Sequence, residues 1–190
     1  DFVQAFDRMY RNILSFKLNK EGVHTTYIRV IQVMLMTVKV FITLGENYSG
    51  WVAEMNGGIQ GAPITPELFL AYINDLPEAL RFWRIAIGVT VVMLGSVAVP
   101  AILYADDSAI LSKSAREVQE LIKRYQAWTD ENLLTCNIGK SFVVVFRKRG
   151  DGGLKIDKDG KLWEEKGDKW VHQKFLAWGK EIIVKTQIVF

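Results

Sequence analysis

The chain has 190 residues, of which 49% are hydrophobic, 12% aromatic and 24% charged, with only four prolines. That composition excludes collagen-like, mucin-like and disordered classes and suits a globular domain with a core of its own. One cysteine (Cys136) and two histidines (His24, His172) exclude an internal disulfide, a Cys-rich zinc site and a His-based metal centre. Net charge is +3 but uneven, −2 over residues 1–139 and +5 over residues 140–190. The basic tail has two readings, a contact for phosphate backbones or an ordinary solvated face.

In chain order, Asp1-Phe2-Val3 starts abruptly, without initiator Met or signal segment, and a strand is expected over residues 1–5. Ile188-Val189-Phe190 stops as abruptly, so the expectation is a piece of a longer protein. Residues 25–43 are apolar and compatible with a helix or with strands. Thr65-Pro66-Glu67 reads as N-cap, first-turn proline and first-turn acid, opening a helix to about Arg81. Residues 85–105 carry no charge over 21 positions, long enough to span a bilayer as a helix. The run is rich in Val and Ile, is split by Gly95-Ser96, holds Pro100 and ends on paired aspartates. Two buried strands joined by a turn explain those features better.

Strands are expected at 98–105, 108–112 and 141–147. Ser114-Ala115-Arg116-Glu117 is a capping box, followed by Val118, Leu121, Ile122, Tyr125 and Trp128 on one helical stripe. The order β-α-β-β-α-β predicts an α+β ferredoxin-like fold, an antiparallel sheet with helices on one face. Gly150-Asp151-Gly152-Gly153 and Asp157-Lys158-Asp159-Gly160 predict turns of a small appended hairpin over 148–190. An EF-hand register through the second turn would put Lys155 and Lys166 at ligand positions, which rejects a calcium loop. Trp163, Trp170 and Trp178 interleave with Lys161, Lys169, Lys174 and Lys180, either as a stacking surface for nucleic acid or as the hairpin's own core.

The chemistry concentrates in Tyr104-Ala105-Asp106-Asp107. Adjacent carboxylates raise one another's pKa unless a cation compensates. A plain solvated turn accounts for them. So does a rigid mount for hard oxygen ligands, which the apolar flanks favour. Asp1, on the expected first strand, could approach Asp106, and three carboxylates could hold two divalent ions roughly 3.5–4 Å apart. Asp7 competes for that role, with capping of the next helix as its alternative.

Four segments then carry a resemblance. Asp1-Phe2-Val3-Gln4-Ala5-Phe6-Asp7 resembles the first palm motif of reverse transcriptases, and residues Gly57 to Phe69 (GGIQGAPITPELF) resemble the second. Tyr104-Ala105-Asp106-Asp107 is similar to the third, and Asn137-Ile138-Gly139-Lys140-Ser141 to the fourth. Ala71-Tyr72-Ile73-Asn74-Asp75-Leu76-Pro77 resembles the non-LTR retrotransposon branch. Val171 to Gly179 is loosely similar to the primer-grip region, and no grip residue is assigned there. Gly58-Ile59 stands where relatives often have an aliphatic residue and Pro.

The resemblance implies a palm over residues 1–147, with fingers absent, and a palm-to-thumb connection over 148–190. It implies RNA-directed DNA polymerisation, with an RNA template, a DNA primer and a deoxynucleoside triphosphate as partners. Two magnesium ions, or manganese in their place, would be held by Asp1 and Asp106 as principal ligands and Asp107 as third acid. Phe6 matches the ring that excludes a ribose 2′-OH, against an ordinary core aromatic. Gln60 and Gly61 would meet nucleotide or template. Lys140 matches the lysine that protonates or stabilises the pyrophosphate leaving group, against a solvated lysine. The implied location is intracellular, nuclear for a eukaryotic retrotransposon, with no membrane role, and the chain by itself is not expected to polymerise. The alternatives are a non-catalytic nucleic-acid-binding module of the same shape, a group II intron or retron enzyme, and a membrane protein using residues 85–105.

Overall fold

A computed structural model describes residues 1–86, 92–99, 101–148, 153–159, 161–166 and 169–189. The first half is helical. α1 (Arg11–Lys20) places Lys17 and Lys20 in its last turn, where cations suit the helix dipole. α2 (Thr25–Met36) starts where the His24 ring accepts the Thr26 N–H. The ambiguous stretch 25–43 thus opens as a helix, which buries Ile28 and Leu35. Four two-residue strands follow, β1 (Lys39–Val40), β2 (Thr43–Leu44), β3 (Asn47–Tyr48) and β4 (Val52–Ala53), pairing β1 with β4 and β2 with β3.

The single helix expected over 65–81 is two, α3 (Ile64–Ile73) and α4 (Leu76–Ala86). Pro77 has no N–H to return to Ile73 and its ring crowds that carbonyl, so the helix cannot run through. Lys17 Nζ also takes the Tyr72 carbonyl at 2.6 Å and Asp75 Oδ1 at 2.7 Å, holding the break. Thr65 is not the cap. Pro63 holds that position, and the Thr65 hydroxyl, inside the first turn and buried, donates to the Ile59 carbonyl at 2.7 Å.

The uncharged run forms a hairpin, β5 (Met93–Leu94) with β6 (Val97–Ala98), around the expected Gly95-Ser96 turn. Its strands are exposed rather than buried, because two residues a side offer too little area to cover. Residues 87–91 and 100 of that run lie outside the described residues. Among the described residues no helix is long and apolar enough to cross a membrane.

β7 (Ala101–Tyr104) and β8 (Asp107–Ile110) form the next hairpin. α5 (Ala115–Glu131) begins as expected. Ser114 Oγ accepts the Glu117 N–H, while the Glu117 carboxylate accepts Ser112 Oγ and the Lys113 N–H. Leu121, Tyr125 and Trp128 face the main core, whereas Val118 and Ile122 face a second one. α5 is therefore the wall between the two.

Beyond a 3₁₀ turn (Ile138–Lys140) lies β9 (Phe142–Lys148). Then come the sheet β10 (Leu154–Ile156), β11 (Leu162–Lys166) and β12 (Lys169–Gln173), the hairpin β13 (Leu176–Ala177) with β14 (Lys180–Glu181), and β15 (Ile183–Val189). The tail is more than a hairpin, since β15 returns parallel to β9 over its full length. Leu162, Phe175, Ala177, Ile182 and Val184 form its core.

The Asp157 turn is closed by its own side chain. Oδ1 accepts the Asp159 and Lys161 amides and Oδ2 accepts Trp163 Nε1. Trp178 packs against both cores and donates to Asp130. Trp163 and Trp178 are accordingly half-buried and serve packing. The Trp170 side chain and the Gly150–Gly152 turn lie outside the described residues.

The single antiparallel ferredoxin-like sheet does not form among the described residues. Residues 1–5 contribute one bridge, Phe2 to Cys136, in place of a strand, because Gln4 adopts φ +50° and the chain turns over residues 3–8. β9 pairs with β15 instead of joining the β7–β8 hairpin. Helix and strand are mixed, as an α+β chain requires.

Candidate active site

The first residues are docked between the helices and the segment 135–137 that precedes the 3₁₀ turn. Phe2 is buried, stacked on Tyr125 at 6.1 Å and edge-on to Phe69 at 6.2 Å. Val3 N–H donates to the Thr135 carbonyl (2.8 Å) and Asn137 N–H to the Asp1 carbonyl (2.9 Å). That clamp leaves the Asp1 side chain 18% exposed, and Lys140 Nζ stands 3.1 Å from its Oδ2. Lys140 comes off the 3₁₀ turn and keeps most of its own surface in water. Asp1 and Lys140, expected to belong to one site, are thus brought together.

Phe6 is half-buried with its ring 5.0 Å from Phe69. Its carbonyl accepts the Gly58 N–H at 3.0 Å, and the Met9 carbonyl accepts the Gly57 N–H at 2.8 Å. Gly57 sits at φ +79° with its α-carbon so near the Asp7 backbone that an added Cβ would lie 2.8 Å from the Asp7 carbonyl oxygen. Gly58 packs as closely on Thr65. Only glycine fits both places. Asp7 does not cap α1, whose cap position is Tyr10. Its carboxylate accepts Gln60 Nε2 at 3.1 Å. Gln60 and Gly61 are exposed just ahead of the α3 N-terminus, with open space around Gly61, where a phosphate or sugar has room to approach.

Asp106 lies at the tip of the β7–β8 hairpin, after Ala105 at φ +50°. That left-handed conformation in an L-residue is strain held by the pairing on either side. Tyr104 and Asp107 are cross-strand partners and share the open face of the hairpin. Ser108, on the opposite face, meets Tyr125 Oη at 2.8 Å. Burial pushes the Tyr125 phenol well above its ordinary pKa, against the pull of the Ser108 bond. Tyr125 therefore joins the Asp1 end to the Asp106–Asp107 hairpin, stacking on Phe2 and bonding to Ser108.

Among the described residues, no three His, Cys, Asp or Glu side chains are grouped so as to hold a metal ion. Asp1, Asp106 and Asp107, anticipated from sequence as one site, do not form such a group. Lys140 occupies Asp1, and Asp107 is carried on the outer face of its strand. The donor types themselves, hard carboxylate oxygens, are those magnesium takes.

Two buried cations escaped the sequence reading. Arg11 is 9% exposed and bonds the 54–57 backbone, and Lys17 is 6% exposed. Burial lowers both pKa values, and Glu54 and Asp75 respectively pull them back. The signal was present: Arg11, Leu14 and Leu18 share one helical stripe, and a cation on a core stripe needs a partner.

A family model described as reverse transcriptase (RNA-dependent DNA polymerase) matches residues 1–177. That match covers nearly the whole chain and takes in all four segments whose geometry is given above. The chain belongs to the reverse transcriptase (RNA-dependent DNA polymerase) family.

Proposed function

We propose that this chain is the palm of an RNA-directed DNA polymerase of the non-LTR retrotransposon type. In this reading residues 1–147 carry the catalytic groups and residues 148–190 lead toward a thumb. The reaction is attack of a primer 3′-OH on the α-phosphate of a deoxynucleoside triphosphate, templated by RNA, with loss of pyrophosphate. The observation that carries the reading is the 3.1 Å pairing of Lys140 with Asp1, which joins the first and fourth motif segments at one point.

Asp1, Asp106 and Asp107 would hold the two magnesium ions, whose chemistry is to neutralise phosphate charge and acidify the attacking hydroxyl. The remaining work belongs to the chain. The Lys140 ammonium, largely in water, is free to swing from Asp1 to the leaving pyrophosphate and supply a proton or a charge. The Phe6 ring, braced by Phe69, forms the floor under the sugar and leaves no room for a 2′-OH. Gln60 and Gly61 offer an amide side chain and accessible backbone N–H groups beside a helix N-terminus. Catalysis of this kind is mostly positioning and charge compensation.

The test is extension of a DNA primer on an RNA template by residues 1–190 flanked with fingers and thumb segments. Asp106→Asn should abolish magnesium-dependent extension while leaving binding of the template–primer within about threefold, since phosphate contacts rather than this carboxylate hold the duplex. Normal extension by the variant would sink the site assignment. The alternative is a palm-shaped nucleic-acid-binding module of the same family without catalysis. Tight template–primer binding with no extension by the unmutated protein would select it.

A further inference from the structure

One guanidinium fastens the glycine loop to the first motif. Arg11 opens α1 and turns its whole donor fork on the 54–57 backbone. Nε donates to the Gly57 carbonyl at 3.0 Å, Nη2 to the Asn56 carbonyl at 3.1 Å, and Nη1 to the Glu54 carbonyl. The Glu54 carboxylate lies 3.6 Å from Nη2. On the other side of the same loop, the Gly57 and Gly58 amides are bound to the Met9 and Phe6 carbonyls, and the Gln60 amide to Asp7. Residues 6–11 and 54–60 are therefore one unit, stitched from both edges, with Phe6 at one end and Gln60 at the other.

Resting on the polymerase reading, we propose that Arg11 is a positioning residue for the incoming deoxynucleoside triphosphate. It touches no substrate. By holding the carbonyls of residues 54, 56 and 57 it sets the spacing between the Phe6 ring, under the sugar, and Gln60-Gly61, beside the base and phosphates. A planar fork of fixed donors can meet three successive carbonyl directions at once, whereas a lysine ammonium presents a point charge on a flexible stem. Among the described residues no other guanidinium or ammonium holds these carbonyls, and the Gln60–Asp7 bond joins exposed side chains. Loosening the loop moves the groups that bind nucleotide and leaves the carboxylates in place.

The test is Arg11→Lys, which keeps the charge and removes the fork. Hydrogen exchange on the 190-residue chain should show the Gly57 and Gly58 amides about tenfold less protected, with the Leu121 and Tyr125 amides of α5 unchanged. In the extended polymerase, KM for the deoxynucleotide should rise about tenfold, with kcat changed less than about twofold, since loss of binding shared by ground state and transition state appears in KM and not in kcat. Should Arg11→Lys fail to fold, Glu54→Gln, which weakens only the ion pair, must move both quantities in the same direction by a smaller factor. Unchanged loop protection, or an unchanged KM in an active enzyme, overturns the positioning role alone. Absence of nucleotide addition by the unmutated polymerase overturns the polymerase reading and the nucleotide role with it, while the exchange result still decides whether Arg11 is the clamp.

Discussion

The ammonium of Lys140 lies 3.1 Å from a carboxylate oxygen of Asp1, with the lysine side chain 71% exposed and the aspartate 18% exposed. A pair so open on the lysine side contributes under about 1 kcal/mol to stability. Its interest is chemical. Lys140→Met should leave the urea midpoint almost unmoved and slow single-turnover nucleotide addition by about 10²-fold, the range for a lost proton donor. A large stability change with unaltered addition would mean that the pair is structural.

Phe6 rests on Phe69 but stays half-buried, so truncation leaves a space open to the site. Phe6→Ala should raise ribonucleotide incorporation relative to deoxynucleotide by at least about tenfold, a discrimination of roughly 1.4 kcal/mol. Competition between the two nucleotide types on one template measures it. Unchanged sugar selection would remove Phe6 from the gate.

Ala105 is held at φ +50° immediately before Asp106. Glycine accepts that backbone without the Cβ penalty, so Ala105→Gly should stabilise the fold by up to about 1 kcal/mol. If the strain serves to aim Asp106, the same change should lower the extension rate. A thermal melt and an extension assay on one preparation check both halves.

The glycine loop tolerates no side chain. At Gly57 a Cβ would meet the Asp7 carbonyl oxygen at 2.8 Å with φ at +79°, and at Gly58 it would overlap Thr65. Gly58→Ala should cost about 1–3 kcal/mol by overpacking, and the displaced loop should weaken nucleotide binding. Denaturant unfolding together with nucleotide titration would test this, and a neutral variant would mean that the loop lies elsewhere.

Lys17 is buried between Tyr72, Trp128 and Asp75, its Nζ 4.7 Å from the Trp128 ring centre and 2.7 Å from Asp75 Oδ1. Lys17→Met should destabilise by about 1–3 kcal/mol, less than the full cost of breaking a buried pair because Asp75, at 32% exposed, recovers water. Burial lowers the folded pKa of Lys17 below its ordinary 10.5. Between the folded value and 10.5 the unfolded chain holds more protons, so stability gains from Lys17 as pH rises through that window and loses it as pH falls. The Lys17→Met variant should lack this alkaline rise, which unfolding curves from neutral pH to above 10.5 would reveal.

Much of the local structure was legible in the residues. Ser114 and Glu117 cap α5 as read, Leu121, Tyr125 and Trp128 of the expected stripe are buried while Val118 and Ile122 turn half-buried to the second core, the Gly95-Ser96 turn forms, and the paired aspartates sit on a hairpin. These features depend on neighbours within a few positions, where propensity and capping act. The expected Thr65 cap failed because α3 starts at Ile64, which puts Thr65 inside the first turn, and the long helix failed at Pro77 once Lys17 was there to hold the break.

By itself, then, the order of residues determined the four motif segments, the helix of the capping box and the family to which they point, because each is a short-range pattern of residue type and spacing. Tertiary structure alone decided which of these segments touch. It set Lys140 against Asp1, Gln60 against Asp7 and Tyr125 against Ser108, and it turned Arg11 and Lys17 inward. It also left Asp1, Asp106 and Asp107 without the grouping a metal ion needs and sent β9 to pair with β15. Such choices turn on where a buried charge or an unpaired strand edge can be satisfied. Burial and pairing across the whole chain settle that, and no local stretch contains the answer.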